Sequence, residues 1–237
     1  MIPNSVVIPI YNEGASIEKF FLEFWENLGE LRTRINEVLL MENGSTDDSF
    51  EACKRIEKLF PLVVRVHCIS FPSYGEAVKQ GIMKARGLAI SILEADVLNV
   101  DFLASSLERI EDGSADFVLA SKRHPESIDR RPLKRRLLTF LFNQYLKMHF
   151  HFPGTDTHGL KTIRSDVAKL LCHLSVTGGE VFQTEIVLLA YQQKYKVVEL
   201  PLNLREKRDM KVSITKRLPK VINIVKDLNR SLNRFRA

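Results

Sequence analysis

The first 121 residues alternate short runs that are apolar throughout with amphipathic stretches, and few chain organisations accommodate that pattern. Ser5–Ile10, Glu37–Met41, Leu62–Ile69, Ala89–Leu93 and Asp116–Ala120 read as strands. Between the first two, Ile17, Phe20, Phe21, Phe24, Trp25 and Leu28 fall on one face of a helix. Further helices are expected over 48–59, 74–86 and 102–110. Strands with no polar alternation are buried on both faces, and helices between them predict an α/β fold with a mostly parallel central sheet covered on both sides. Ligands bind such sheets outside the carboxyl ends of the strands. The residues that follow each run are therefore the ones to inspect.

After Ser121 the pattern changes. A basic stretch at 130–136 leads into a Phe-rich apolar helix, Leu137–Phe152, then a loop at 153–159 and a short strand at 160–163. Helices at 166–174 and 182–193, a strand at 197–204 and a basic C-terminal helix complete the chain. Without repeats or a low-complexity linker, 237 residues suit one domain spanning 1–237. No apolar run reaches the roughly 18–20 residues of a membrane-spanning helix. The N-terminus enters a strand at once, so no signal peptide is expected. Cys53, Cys68 and Cys172 are odd in number and widely spaced, which argues against a disulfide framework or zinc site. They read as small core residues of a cytoplasmic protein.

The net charge of +6 is unevenly placed. From Arg205 onward there are eleven Lys/Arg and three acidic residues, a net +8 that leaves the rest of the chain at −2. A basic tail on a nearly neutral body calls for an anionic partner: phosphate groups, a membrane surface or nucleic acid. Nucleic acid is disfavoured, because aromatic residues interleave with the basic ones only at Phe235 and no recognised motif is present. Leu218, Val221, Ile222, Val225, Leu228 and Leu232 make one helical stripe, suited either to an anionic interface or to packing on the body.

Four polar clusters follow the strands. Pro9-Ile10-Tyr11-Asn12-Glu13 closes the first. Glu42-Asn43-Gly44-Ser45-Thr46-Asp47-Asp48 follows the second; its carboxylate can accept hydrogen bonds from a base or ribose, and Ser45 or Thr46 can cap the next helix. Ser73-Tyr74-Gly75-Glu76 opens a helix whose spacing is not that of a dinucleotide loop. Glu94-Ala95-Asp96 offers two carboxylates that can share a hard divalent cation. Histidine adds nothing: His67, His149 and His151 read as structural and His124 as a loop residue.

In order, Val7-Ile8-Pro9-Ile10-Tyr11-Asn12-Glu13, Glu42–Asp47, Tyr74-Gly75-Glu76-Ala77 and Glu94-Ala95-Asp96 resemble a family-2 glycosyltransferase of the GT-A fold. The resemblance continues through Asp116–Arg123, Asp156–Lys161, Phe182–Glu185 and Val198–Pro201, and is strongest to the polyprenyl-phosphate sugar transferases. It implies a nucleotide-sugar half at 1–121, an acceptor half at 122–204 and a basic segment at 205–237. Pro9, Tyr11, Glu13, Glu42, Gly75 and Ala95 would line the donor pocket. Asp96, helped by Glu94, would hold Mg2+ or Mn2+. Asp156 would stand near the acceptor as a candidate base, and Arg205, Arg208, Lys211 and Ser213 would close on the diphosphate.

The implied reaction is inverting transfer from a nucleoside diphosphate sugar to a polyprenyl phosphate or another lipid or glycan, by an enzyme peripheral to the inner face of a membrane. Three positions depart from the family pattern: Glu42-Asn43 stands for an Asp pair, Glu94 for the first Asp of Asp-x-Asp, and Leu98 for a polar residue. Two alternatives are a catalytically weak nucleotide-sugar-binding homologue and a nucleotidyltransferase. The latter would open with a Gly-rich phosphate loop, where this chain has only Gly14.

Overall fold

The computed structural model describes residues 2–95, 97, 99–128, 133–179, 181–202 and 228. Seven strands form one sheet: β1 (Asn4–Ile10), β2 (Ile35–Glu42), β3 (Val64–Cys68), β4 (Ala89–Ile92), β5 (Phe117–Ser121), β6 (Lys161–Arg164) and β7 (Val197–Pro201), in the order β3-β2-β1-β4-β6-β5-β7. The pairs β1–β2, β1–β4, β2–β3 and β5–β7 are parallel. β6 lies antiparallel between β4 and β5, with Lys161 opposite both Ile92 and Leu119.

Side chains alternate across the sheet and fill two cores. Val6, Ile8, Ile10, Val38, Leu40 and Val118 pack under α1 (Ile17–Asn27), α2 (Ser49–Leu59) and α4 (Val100–Glu111). Val7, Leu39, Met41, Ile90, Ile92 and Phe117 pack under α3 (Tyr74–Lys84), α5 (Leu133–Phe150), α6 (Ser165–Leu174) and α7 (Val181–Gln192). Every residue of β1 is buried, as its unbroken apolar run requires. Truncating Phe21 or Phe117, both fully buried, to Ala would cost about 3–5 kcal/mol.

The order reverses between β1 and β4, which opens a crevice at their carboxyl ends. Pro9 fits there. Val7 accepts from the Leu93 amide at 3.0 Å, so β1 turns its odd-numbered backbone groups toward β4. β4 pairing stops at Ile92 opposite Val7, so the N–H that Pro9 lacks has no ladder to complete.

Several expectations shift. Pro61–Val63 form a turn, so β3 starts at Val64 and Leu62 is 88% exposed. Cys53 and Cys172 are buried, and burial pushes both thiols to about 12; Cys68, at the strand end, is exposed and is not a core residue. α5 begins at Leu133 and turns only part of itself inward: Leu146 and Phe150 are buried, while Leu133, Leu137, Phe140 and Leu141 face solvent. Among the described residues, no helix is long and apolar enough to cross a membrane. The basic C-terminal helix lies outside the described residues except for Leu228, which is buried in the α3–α5–α6–α7 core.

Candidate functional site

The loops after β1 and β2 are tied together by their own polar side chains. Asn12 takes a left-handed conformation (φ 53°), and its Oδ1 accepts from the Thr46 amide at 2.9 Å. The amides of Asn12, Glu13 and Gly14 donate to Ser45 Oγ, Ser49 Oγ and Asp47 Oδ2 at 3.1, 2.8 and 3.1 Å. The Ser49 hydroxyl, first, and the backbone amides of Gly14 and Ser49 hold the Asp47 carboxyl below its usual range. Ser45 and Thr46 therefore serve this loop and do not cap α2, whose N-cap is Asp48. Tyr11 stands out at 45% exposure, with Glu13 half-buried beside it.

Glu42 is the last residue of β2, 6% exposed, and its Oε1 accepts from the Ser45 amide at 2.6 Å. Its neighbour Asn43 accepts from the Ser73 amide at 2.7 Å, which anchors the start of α3. Ser73 is the N-cap: its Oγ accepts from the Glu76 amide and from the Gly179 amide, each at 3.4 Å. Gly75 is buried here, and a Cβ would sit 2.7 Å from Gly179 O and Phe182 Cβ. The need for glycine is thus set by packing of α3 on Gly179 and Phe182.

Beyond β4, the Glu94 carbonyl accepts from the Val97 amide at 2.9 Å, and Ala95 is buried. The Tyr74 hydroxyl donates to Glu94 Oε1 at 2.8 Å. Burial, and next the Glu94 charge, push the Tyr74 phenol well above its usual range, so it remains a donor throughout the neutral range. Asp96 and Leu98 lie outside the described residues, as do Arg205, Arg208, Lys211 and Ser213.

Among the described residues no three His, Cys, Asp or Glu gather as a metal cluster. A cation that keeps water and phosphate oxygens needs only one or two protein carboxylates, and Glu94 at the crevice supplies a hard oxygen ligand of that kind. The chemistry of that one described oxygen ligand suits Mg2+ or Mn2+.

Lys161 closes the Asp156–Lys161 segment of the family resemblance, which implies no role for it, and it is one of the larger fully buried side chains, at 1% exposure. Its Nζ donates to Gly159 O at 2.8 Å and Gln183 Oε1 at 2.9 Å. Burial lowers its pKa to about 8, against the opposing pull of the Glu94 and Asp156 carboxylates. Charge within an apolar strand, where the neighbouring sheet ends, is the signal that points to it.

Asp156, 3% exposed, sits in the loop before β6. Its Oδ1 accepts from the amides of Thr157 (2.8 Å) and His158 (3.0 Å), and its Oδ2 from the Lys122 amide (3.2 Å). Asn143 Nδ2 donates to Thr155 O at 2.6 Å, and Glu199 accepts from the Thr155 amide at 2.7 Å. Across the crevice, buried Glu185 accepts from the amides of Val176 and Thr177 at 3.0 Å each, fixing the loop that meets α3.

Next to Thr155, a cleft of about 140 Å³ is lined by Arg123, Phe140, Asn143, Gln144, Lys147 and Thr155. It runs into a wider depression formed by Arg123, Arg136, Leu133, Leu137 and Phe140, with the Arg123 guanidinium 5.6 Å from the centre of the Phe140 ring. Three cations, Arg123, Arg136 and Lys147, thus border an exposed apolar helix face.

The family model for glycosyl transferase family 2 matches residues 5–169. Glycosyltransferase AglD of Haloferax volcanii is 24% identical over 215 residues, covering 90% of this chain and 34% of AglD. The dolichyl-phosphate beta-glucosyltransferase of Saccharomyces cerevisiae is 27% identical over 231 residues, 89% of this chain and 69% of that protein. The chain therefore spans about a third of the first relative and about two thirds of the second.

Glucosyl-3-phosphoglycerate synthase of Mycobacterium tuberculosis, solved with Mn2+, uridine diphosphate and phosphoglyceric acid, superposes with a TM-score of 0.73 at 16% identity, covering 97% of this chain and 78% of that one. Mannosyl-3-phosphoglycerate synthase of Rubrobacter xylanophilus gives 0.74 at 17% identity, with 98% and 75% coverage. These likenesses establish the GT-A fold, and the family match sets the nucleotidyltransferase alternative aside. The chain belongs to glycosyl transferase family 2 and is a glycosyltransferase.

Proposed function

We propose that this enzyme transfers a sugar, with inversion, from a nucleoside diphosphate sugar to a lipid phosphate of the polyprenyl type. The observation that carries the acceptor class is the cleft beside Thr155, where Arg123 and Lys147 meet the exposed apolar face of α5. A phosphate head with a hydrocarbon tail matches both halves of that surface. The donor class rests on family membership and on a structural neighbour solved with Mn2+ and uridine diphosphate.

Glu42, with Tyr11 and Glu13, lines the end of β1–β2, where a base and ribose would lie. Glu94, with Asp96, would hold the divalent cation, which when bound neutralises negative charge on the leaving diphosphate. Arg123 and Arg136 would orient the acceptor phosphate so that one of its oxygens attacks the anomeric carbon as the bond to the diphosphate breaks on the opposite side. A phosphate oxygen is already anionic and needs no proton removed. Asp156, with three N–H groups on its carboxylate, then serves to hold the loop that carries Thr155.

The test is transfer from labelled UDP-glucose or GDP-mannose, with Mn2+, to a short-chain polyprenyl phosphate or to soluble phosphoglycerate and sugar acceptors. Product on the lipid phosphate is expected. Losing a charge-assisted bond costs about 1.5–3 kcal/mol, so Arg123→Ala should raise the KM for that acceptor roughly 10- to 100-fold while donor affinity stays constant. Transfer to soluble acceptors alone would defeat the lipid-phosphate assignment.

A further inference from the structure

We propose that Tyr74 is a positioning residue for the cation site, fixing the Glu94 carboxylate through its hydroxyl. This rests on the assignment of Glu94 to a divalent cation.

The backbone that carries Tyr74 is held from three directions. Asn43, at the end of β2, accepts from the Ser73 amide; Ser73 Oγ accepts from the Gly179 amide; and Gly75 fits against Gly179 and Phe182. The Tyr74 ring packs against the core beneath α3. Its hydroxyl therefore reaches the crevice from a rigid mount and meets Glu94 Oε1 at 2.8 Å.

Glu94 itself is half-exposed and has one more rotatable bond than an aspartate. That extra bond gives the side chain more rotamers to choose among than an aspartate has. A hydroxyl fixed 2.8 Å from Oε1 narrows that choice. A carboxylate has about four acceptor sites, so accepting from Tyr74 does not exhaust what it can offer a hard cation. The two residues match in length: an aspartate at 94 would end about 1.5 Å short of the hydroxyl, beyond hydrogen-bond range. The departure at Glu94 and the tyrosine at the head of α3 thus form one unit.

The experiment titrates Mn2+ alone into the full chain, with free Mn2+ read by electron paramagnetic resonance, for wild type, Tyr74→Phe, Glu94→Asp and the double variant. Phe keeps the ring and its packing, and an unchanged melting temperature verifies this. Losing such a supporting partner weakens metal binding roughly 10- to 100-fold, so Tyr74→Phe should raise the Mn2+ Kd about 10-fold. In the Glu94→Asp background the same change should add less than about 2-fold, the scatter expected of uncoupled sites.

A Kd for Tyr74→Phe within about 2-fold of wild type would overturn the proposal, as would an equal loss in both backgrounds. Glu94→Asp supplies a second route if Tyr74→Phe misfolds: weakened binding supports the length match, and unchanged binding refutes it. Absence of Mn2+ binding by the wild type would overturn the underlying cation assignment itself.

Discussion

Replacing Lys161 with methionine should remove a pH dependence that this one group imposes on stability. Its folded pKa of about 8 lies below the ordinary lysine value because burial penalises the ammonium. Between about pH 8 and 10.4 the unfolded chain binds a proton that the folded chain does not, so stability rises with pH across that window. About 2.4 units at 1.36 kcal/mol each amounts to roughly 3 kcal/mol, an upper figure for a site that can relax.

Methionine keeps the apolar stem but leaves Gly159 O and Gln183 Oε1 without their donor, each loss worth about 1–3 kcal/mol. At pH 7.5 that loss opposes the relief of the buried charge, so the net change there is smaller than either term. Urea unfolding from pH 7.5 to 10.5, with EDTA present, reads the difference between wild type and Lys161→Met. Taking the difference cancels the buried cysteines, which lose stability over the same range. The wild-type advantage should grow by about 3 kcal/mol as pH rises. A difference that stays flat to within about 0.5 kcal/mol would refute the assignment of Lys161 as a buried cation.

Two other substitutions test the loops around the crevice. Glu185→Gln turns one of the two accepting oxygens into an N–H₂ that faces a backbone donor, and should cost about 1–3 kcal/mol by urea unfolding and speed amide exchange at Val176 or Thr177. Asp156→Asn should lower melting and reduce kcat with donor Kd intact if the loop orients the acceptor; near-normal turnover would remove Asp156 from the mechanism.

Much of the sheet was legible because β1, β2, β4 and β5 are buried on both faces and have no polar alternation to hide them. The stripe Ile17, Phe21, Phe24 likewise announced α1. What the sequence withheld were relations between distant segments. The antiparallel insertion of β6 depends on which neighbours β4 and β5 leave unpaired, and no four-residue run encodes that. Lys161 looked like any strand-end lysine until two strands closed over it. Tyr74 and Glu94, 20 positions apart, are linked only once α3 packs beside the end of β4. Cys68 was misjudged, and the apolar helix 137–152 could be read either as an acceptor-lipid platform or as buried, for a similar reason: apolar character is local, but a covering partner is not. The carboxylate clusters at the strand ends were visible, since their position after apolar runs is itself a local property.

The most direct test of a cation-dependent nucleotide-sugar site at the ends of β1, β2 and β4 is thermal stabilisation by a panel of nucleoside diphosphate sugars, with Mn2+ and with EDTA. A donor at about 100 times its Kd stabilises by roughly 2.7 kcal/mol. For a chain of this size that corresponds to a rise of about 5–10 °C. One donor class should produce that rise with Mn2+ and lose most of it in EDTA or in Asp96→Asn. No shift from any donor, or a shift indifferent to Mn2+ and to Asp96, would contradict the site.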